Sequence, residues 1–376
     1  MSTKILIAPD SFKGCADSVS LAVLIQNELK EIKNFEFEIT PISDGGDGFL
    51  NVCKNNFQLE EVEYYISTPF DETMMKCKVG YDRLNKSIFI ESADVLGLKV
   101  IPIQKRKPLK LSSKGLGELI LKIKYDVESK KLSCDKIYLG IGGTGTVDFG
   151  LGMCSIFGLK IFDFYDKQLE VLPENYFRIG EIDFPKFNLP FQIIPVIDVN
   201  NSLLGQDGAI TNFAPQKGAA PSDIKILELG FNKIINILIK KNLISEGSAL
   251  SGAGGGIAAA IQVLYNSKLL KAKDFILDTL NMKKEIDNSE IIITGEGKFD
   301  SQSLLGKGAY SITEYALERN KKVFFICGKS EIKSTILKNE NFSIIELSNF
   351  MSSADESIQN VKRGISLACE LIRSKL

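Results

Sequence analysis

The chain has 376 residues, 44% of them hydrophobic and 25% charged, with 46 basic against 47 acidic side chains. Such a composition belongs to globular proteins and leaves room for two domains, while a formal charge of -1 excludes the basic excess that nucleic-acid binding needs. There is no histidine, so a histidine base, a phosphohistidine and a histidine-held zinc are excluded. Proton transfer then falls to carboxylate, lysine, tyrosine or cysteine.

The chain opens with a short strand, KILIAP (4–9), followed by a loop and a helix near 17–32 with Leu21, Leu24, Ile25 and Leu29 on one face. FEFEITPI forms a second strand and ends at SDGGDG (43–48). EVEYYIST, TMMKCKVGY and SIFIESADV read as strands of an antiparallel or mixed sheet, with a helix at 115–129 behind them. KIYLGIGGTG (136–145) is again strand to loop, and 160–195, with Pro173, Pro185, Pro190 and Pro195, reads as loop-rich. EIIITGEG (290–297) is a strand and loop, SLLGKGAYSITEYALERN a helix, and KVFFICGKS another strand and loop. FSIIEL and a helix over 354–375 end the chain. Continuous Ile, Val and Phe runs predict parallel strands buried on both faces.

This order predicts an α/β protein of two domains: a Rossmann-like parallel-sheet domain from 1–66 and 275–376, and an inserted mixed α/β domain from 67–274. The seven scattered cysteines include no C-x-x-C pair and read as reduced thiols. No signal-peptide pattern and no membrane-length apolar run is present, so the expected location is the cytoplasm, with no membrane partner.

Six glycine-rich segments could carry chemistry: APDSFKG (8–14), SDGGDG (43–48), GIGGTGTVDFG (140–150), DVNN to APQKGA (198–219), GAGGG (252–256) and TGEGKFDSQSLLGKG (294–308). In open α/β sheets ligands bind beyond the carboxyl ends of strands, where glycine brings backbone donors close to phosphate. Any one such loop is more often a tight turn; six with interspersed Asp and Lys are harder to dismiss together. The acids are Asp10, Asp44, Asp47, Asp148, Asp198, Glu296 and Asp300, and the lysines Lys13, Lys217, Lys298 and Lys307. No arginine lies in these loops, so lysines and backbone N–H groups must hold any bound anion. Cys15, with no histidine to activate it, reads as packing. Asp44 and Asp198 each end an apolar run, which places them at strand ends as catalytic candidates, with turn bracing through Asx bonds as the bland alternative. GIGGTG also satisfies G-x-G-x-x-G, with Asp163 and Asp166 at ribose-binding spacing, which keeps a dinucleotide-binding oxidoreductase as the second reading. Walker A is absent, because the glycine five positions before Gly306 or Gly328 is missing.

In this order the segments resemble the type I glycerate kinase family almost end to end. IAPDSFKG, PISDGGDG, SSKGLGELI, GIGGTGTVDFGLGM, DVNNSLLGQDGA with FAPQKGA, GAGGGIAAA and ITGEGKFDSQSLLGKG match its motifs in turn. The resemblance implies transfer of the γ-phosphoryl of ATP to D-glycerate, usually giving 2-phosphoglycerate, with Mg²⁺, in a cleft between two α/β lobes. Under it the candidate substrate- and phosphate-binding residues are Ser11, Lys13, Gly45, Gly46, Gly142, Gly143, Thr144, Asp148 and Lys217. Gly254, Gly255, Glu296 and Asp300 are the nucleotide candidates, and Asp44 or Asp198 the Mg²⁺ ligand. Assembly as a homodimer stays open. The family's Asn-Asp-Gly-Gly is here Val147-Asp148-Phe149-Gly150, which loses a polar group, adds bulk and bears on the choice of acceptor. Asp47 and Lys298 stand where the family has Glu and Arg.

Overall fold

The computed structural model describes residues 2–184, 187–198, 202–205, 208–332, 339–351 and 360–376. The chain divides into two compact units, one of Met1–Asp44, Gly48–Gln58 and Lys271–Leu376, the other of Gly45–Asp47 and Leu59–Leu270. Against the expected boundaries, Glu60–Ser67 lies in the second unit because it pairs in antiparallel fashion with Met74–Asp82.

In the first unit five parallel strands form one sheet, ordered Phe342–Glu346, Lys322–Ser330, Ile291–Phe299, Thr3–Pro9 and Phe35–Ile39. Numbered along the unit this is 2-1-3-4-5, a doubly wound order. The apolar runs become buried strands: Ile5, Ile7, Ile293, Phe324 and Ile326 share one core with Leu21 and Ile25 of the helix Ser18–Leu29 and Ile365 of the helix Val361–Arg373. Alternate residues such as Leu6, Ile292 and Phe325 turn to the opposite face, and the helix Gly308–Leu317 packs on the two strands Ile291–Phe299 and Lys322–Ser330. Asp17 caps Ser18–Leu29 by accepting from the Ser20 N–H at 2.9 Å. The final helix was expected from 354; residues 352–359 lie outside the described ones.

The sequence predicts a loop after IIIT, yet the strand runs on to Phe299. Its pairing with Thr3–Pro9 stops at Gly295, while pairing with Lys322–Ser330 continues to Phe299 opposite Ser330. Glycine makes this possible, because a Cβ at Gly295 would stand 1.8 Å from the Ile326 carbonyl oxygen.

The second unit has a six-stranded mixed sheet, ordered Leu270–Lys271, Gln192–Ile197, Lys136–Gly140, Ser87–Glu91, Met74–Asp82 and Glu60–Ser67. The pairs among Gln192–Ile197, Lys136–Gly140 and Ser87–Glu91 are parallel, and the following two pairs antiparallel. The helix Lys114–Glu128 buries Leu116, Leu119, Ile120 and Ile123 in the same core as Ile88 and Ile137. The stretch expected as loops holds instead a small antiparallel sheet of Gln168–Leu169, Lys160–Asp163 and Ile179–Asp183. Ile161, Ile179, Ile182 and the wholly buried Tyr176 anchor it, while Phe164 and Tyr165 are exposed. Among the described residues no helix is long and apolar enough to cross a membrane.

Candidate active site

In a doubly wound sheet the two strands at the reversal of order send their following loops to opposite sides, which opens a crevice at their carboxyl ends. Here those strands are Thr3–Pro9 and Ile291–Phe299. A cavity of about 340 Å³ lies there, lined by Asp10, Ser11 and Lys13 after the first strand and by Glu296, Gly297 and Lys298 of the other, with Asp44 and Lys307. The loop after Thr3–Pro9 is held tightly: the Asp10 N–H donates to the Gly295 carbonyl, the Ser11 N–H to Asp10 Oδ1 at 2.6 Å, and the Phe12 N–H to the Ala16 carbonyl.

Burial and the charge of Asp44 push the Asp10 carboxyl well above the usual carboxylate range, with the Ser11 N–H and Lys13 opposing. Burial also raises Glu296, again with Asp44 and Asp300 adding and Ser303 and Lys307 opposing. Glu296 is 8% exposed, and its Oε1 has no hydrogen-bond partner among the described residues. Lys13 Nζ stands 3.6 Å from Asp44 Oδ2. Asp300 accepts from the Gln302 and Ser303 N–H groups and pairs with Lys298 at 3.3 Å. Burial opposes its charge, but these partners hold its carboxyl below the usual range.

The second unit gathers the remaining candidates. Gly45 and Gly46 approach the ends of the strands Gln192–Ile197 and Lys136–Gly140: a Cβ at Gly45 would meet the Val196 carbonyl at 2.9 Å, and one at Gly142 would meet Gly46 Cα at 2.4 Å. A Cβ on Gly143, at φ +65°, would lie 3.2 Å from the Asp47 carboxylate. Lys217 is 6% exposed and donates to Thr144 Oγ1 at 3.2 Å and to the Thr146 carbonyl at 2.9 Å. Burial pushes its amine down to about 8, against the pull of Asp148. Asp198 follows Gln192–Ile197 and is half-buried.

Asp148 is an internal group. Its carboxylate accepts from the Ser113 N–H, the Ser113 hydroxyl, and the Gly150 and Gly152 N–H groups, at 2.6–3.2 Å. It thereby ties the start of Lys114–Glu128 to the start of the helix Leu151–Ser155. Four donors occupy the carboxylate that the resemblance offers to substrate. Val147 and Phe149 are buried too, the Phe149 ring 5.2 Å from Phe231, so their bulk goes into the core.

Gly254 and Gly255 have comparable internal reasons. Both have φ +66°, and a Cβ on Gly255 would fall 2.2 Å from the Thr146 carbonyl. The dinucleotide reading meets the same obstacle. No long helix follows GIGGTG, only Leu151–Ser155, and its glycines are packed against protein. Asp163 ends a strand of the small antiparallel sheet, and Asp166 lies in the turn after it. Sequence reasoning missed Lys99, which meets Glu91 at 3.0 Å, Asp94 at 2.6 Å and Asp47 at 3.8 Å; nothing in the surrounding LGLK marks it. It also gave no role to Ser113, although SSKG lay within a recognised motif.

Residues 5–375 match the glycerate kinase family. A glycerate kinase of Haemophilus influenzae is 31% identical over 332 residues, 86% of this chain and 85% of that protein. A glycerate 2-kinase of Escherichia coli is 32% identical over 331 residues, 86% of this chain and 85% of its own length. The crystal structure of a protein assigned as glycerate kinase 2 from Salmonella typhimurium LT2 superposes with a TM-score of 0.76 at 26% identity, covering 100% of this chain and 99% of that one. The expected fold is therefore the observed one, and the chain belongs to the glycerate kinase family.

Proposed function

We propose that the protein transfers the γ-phosphoryl group of ATP to the 2-hydroxyl of D-glycerate, giving 2-phosphoglycerate. The observation that carries this reading is the ring of carboxylates and lysines around the cavity at the switch point, in a chain matching the family nearly end to end. Phosphoryl transfer asks for cations to hold phosphate and for a carboxylate to orient the attacking hydroxyl. The choice of the 2-hydroxyl rests on the Escherichia coli relative, a glycerate 2-kinase.

Asp44, beside Lys13, is the residue we assign to orient the hydroxyl, and Asp198 is the second candidate. Mg²⁺ takes oxygen ligands, commonly one or two carboxylates beside phosphates. Among the described residues no three His, Cys, Asp or Glu side chains form a cage, but Asp44 lines the cavity and Asp198 follows a strand end half-buried, and whichever of the two does not orient the hydroxyl offers an oxygen for the metal. A bound Mg²⁺ would neutralise phosphate charge there. In the first unit Ser11 and Lys13 remain proposed contacts for phosphate or acceptor, and in the second unit Gly45, Gly46, Gly142, Gly143 and Thr144 remain candidates of their own.

Coupled detection of ADP with ATP and D-glycerate tests the reaction, and ³¹P resonance of the product identifies the hydroxyl. ADP formation no faster with D-glycerate than without it would remove the kinase reading. Asp44→Asn keeps the shape and removes the charge, so turnover should fall at least about tenfold. Near-wild-type turnover would return Asp44 to a turn-bracing role.

A further inference from the structure

The tripeptide Gly45–Asp47 belongs to the second unit, while the residues on either side of it belong to the first. Asp47 carries its charge and pairs with Lys99 at 3.8 Å. Lys99 is itself held in place: its amine meets Glu91 at 3.0 Å and Asp94 at 2.6 Å, and Glu91 is only 4% exposed. Burial opposes the charge of Lys99, but Asp94 and Glu91 hold its amine above the ordinary lysine range, so it stays a cation. One ammonium shared by three carboxylates has no charge to spare for a bound anion, so Lys99 is not itself a substrate clamp. The segment that carries it also braces the loop after Lys136–Gly140. The Ser92 hydroxyl donates to the Gly142 carbonyl at 3.3 Å, and the Gly145 N–H donates to the Leu96 carbonyl at 2.7 Å. Gly143 lies between the two: a Cβ there would stand 3.2 Å from Ala93 Cβ and 3.2 Å from both Asp47 carboxylate oxygens.

Resting on the kinase reading, we propose that Lys99 is a positioning residue of the reaction: through Asp47 it fixes Gly45 and Gly46 against Gly142 and Gly143, so that the two glycine loops the second unit offers to acceptor or phosphate keep one geometry. Residues 91–99 hold one loop by hydrogen bonds and the other by charge. An exposed pair such as Lys99–Asp47 contributes modestly to stability, yet a small misplacement of the groups around a substrate is enough to slow its reaction. The effect of losing the pair therefore belongs in turnover more than in folding.

Asp47 is exposed, so Asp47→Asn tests the link without threatening the fold; it should lower kcat/KM for D-glycerate about fivefold while Tm stays within about 2 °C. Lys99→Met should lower kcat/KM about tenfold, and Lys99→Arg, which keeps the charge, should recover most of that loss. In the Asp47→Asn background Lys99→Met should cost no more than about a further twofold, because the route through Asp47 is already cut. An equal cost of Lys99→Met in both backgrounds would overturn the proposal, since Lys99 would then only support the buried Glu91. Unchanged kcat/KM in Asp47→Asn would overturn it too, whether or not Lys99→Met folds. Hydrogen exchange read by mass spectrometry gives an arm independent of turnover: the Gly45–Asp47 amides should exchange about tenfold faster in Asp47→Asn, with the strand Lys136–Gly140 within about twofold of wild type. The two readings fail separately: faster exchange in a protein whose ADP formation does not depend on D-glycerate sinks the kinase reading alone, and turnover with unchanged exchange sinks the positioning role alone.

Discussion

Asp148 shows how a carboxylate in a functional-looking motif can have a structural task. Both of its oxygens are occupied, and burial raises its carboxyl while the Ser113, Gly150 and Gly152 donors oppose that shift. Asparagine would set an NH₂ group against N–H donors, so Asp148→Asn should lower stability by about 2–4 kcal/mol, read by urea denaturation. Unchanged stability with impaired substrate binding would contradict the internal role. Lys217 makes a prediction in pH. Its amine titrates near 8 in the folded chain against 10.5 as the ordinary value. Across that window the unfolded chain holds a proton that the folded one has released, so stability rises with pH there. The gain relative to Lys217→Met should be on the order of 2–3 kcal/mol between about pH 7.5 and pH 10.5. A stability difference that is flat in pH would mean the lysine is better solvated than its position implies.

Among the elements, the glycine run before the helix Ile257–Leu264 is the most constrained. Gly254, Gly255 and Gly256 all have positive φ, and all three lie against residues 141–149. Gly255→Ala should therefore cost about 2–4 kcal/mol through strain and overpacking, seen as a lower Tm. A selective loss of ATP affinity at unchanged Tm would favour the phosphate-binding role that the family resemblance suggests. In sequence a run of glycines before an apolar helix looks the same whether it meets phosphate or a neighbouring carbonyl. The extension of Ile291–Phe299 was hidden for a related reason: TGEG has loop composition, and only the partner strand Lys322–Ser330 keeps it extended. Apolar runs were legible because burial on both faces demands them, and Lys114–Glu128 was legible because its apolar residues recur at helical spacing. Asp10 was visible as an acidic loop residue, but its coupling to Asp44 depends on which strands become neighbours.

For the molecule as a whole, the motifs were readable in chain order, and what the sequence withheld was their grouping. Ser11, Lys13, Asp44, Glu296 and Asp300 belong to the first unit, while Gly142, Gly143, Thr144, Asp148, Asp198, Lys217, Gly254 and Gly255 belong to the second. Gly45 and Gly46 go with the second unit although Asp44 does not, a division within one hexapeptide that no local pattern announces. The sheet order has a further consequence, for biosynthesis. Thr3–Pro9 is a central strand, and one of its two neighbours, Ile291–Phe299, begins 282 residues after Pro9 (291 − 9). At roughly 5–20 residues per second a ribosome needs about 15–60 s to cover that interval. Throughout it the apolar ILIAP segment has only Phe35–Ile39 of its two sheet neighbours to pair with, and by its end nearly all of the second unit, contiguous from Leu59 to Leu270, has been synthesised. Translation thus supplies the chain of the second unit before the first can complete its sheet, and it leaves an unfinished strand edge in need of protection until the last quarter of the chain arrives.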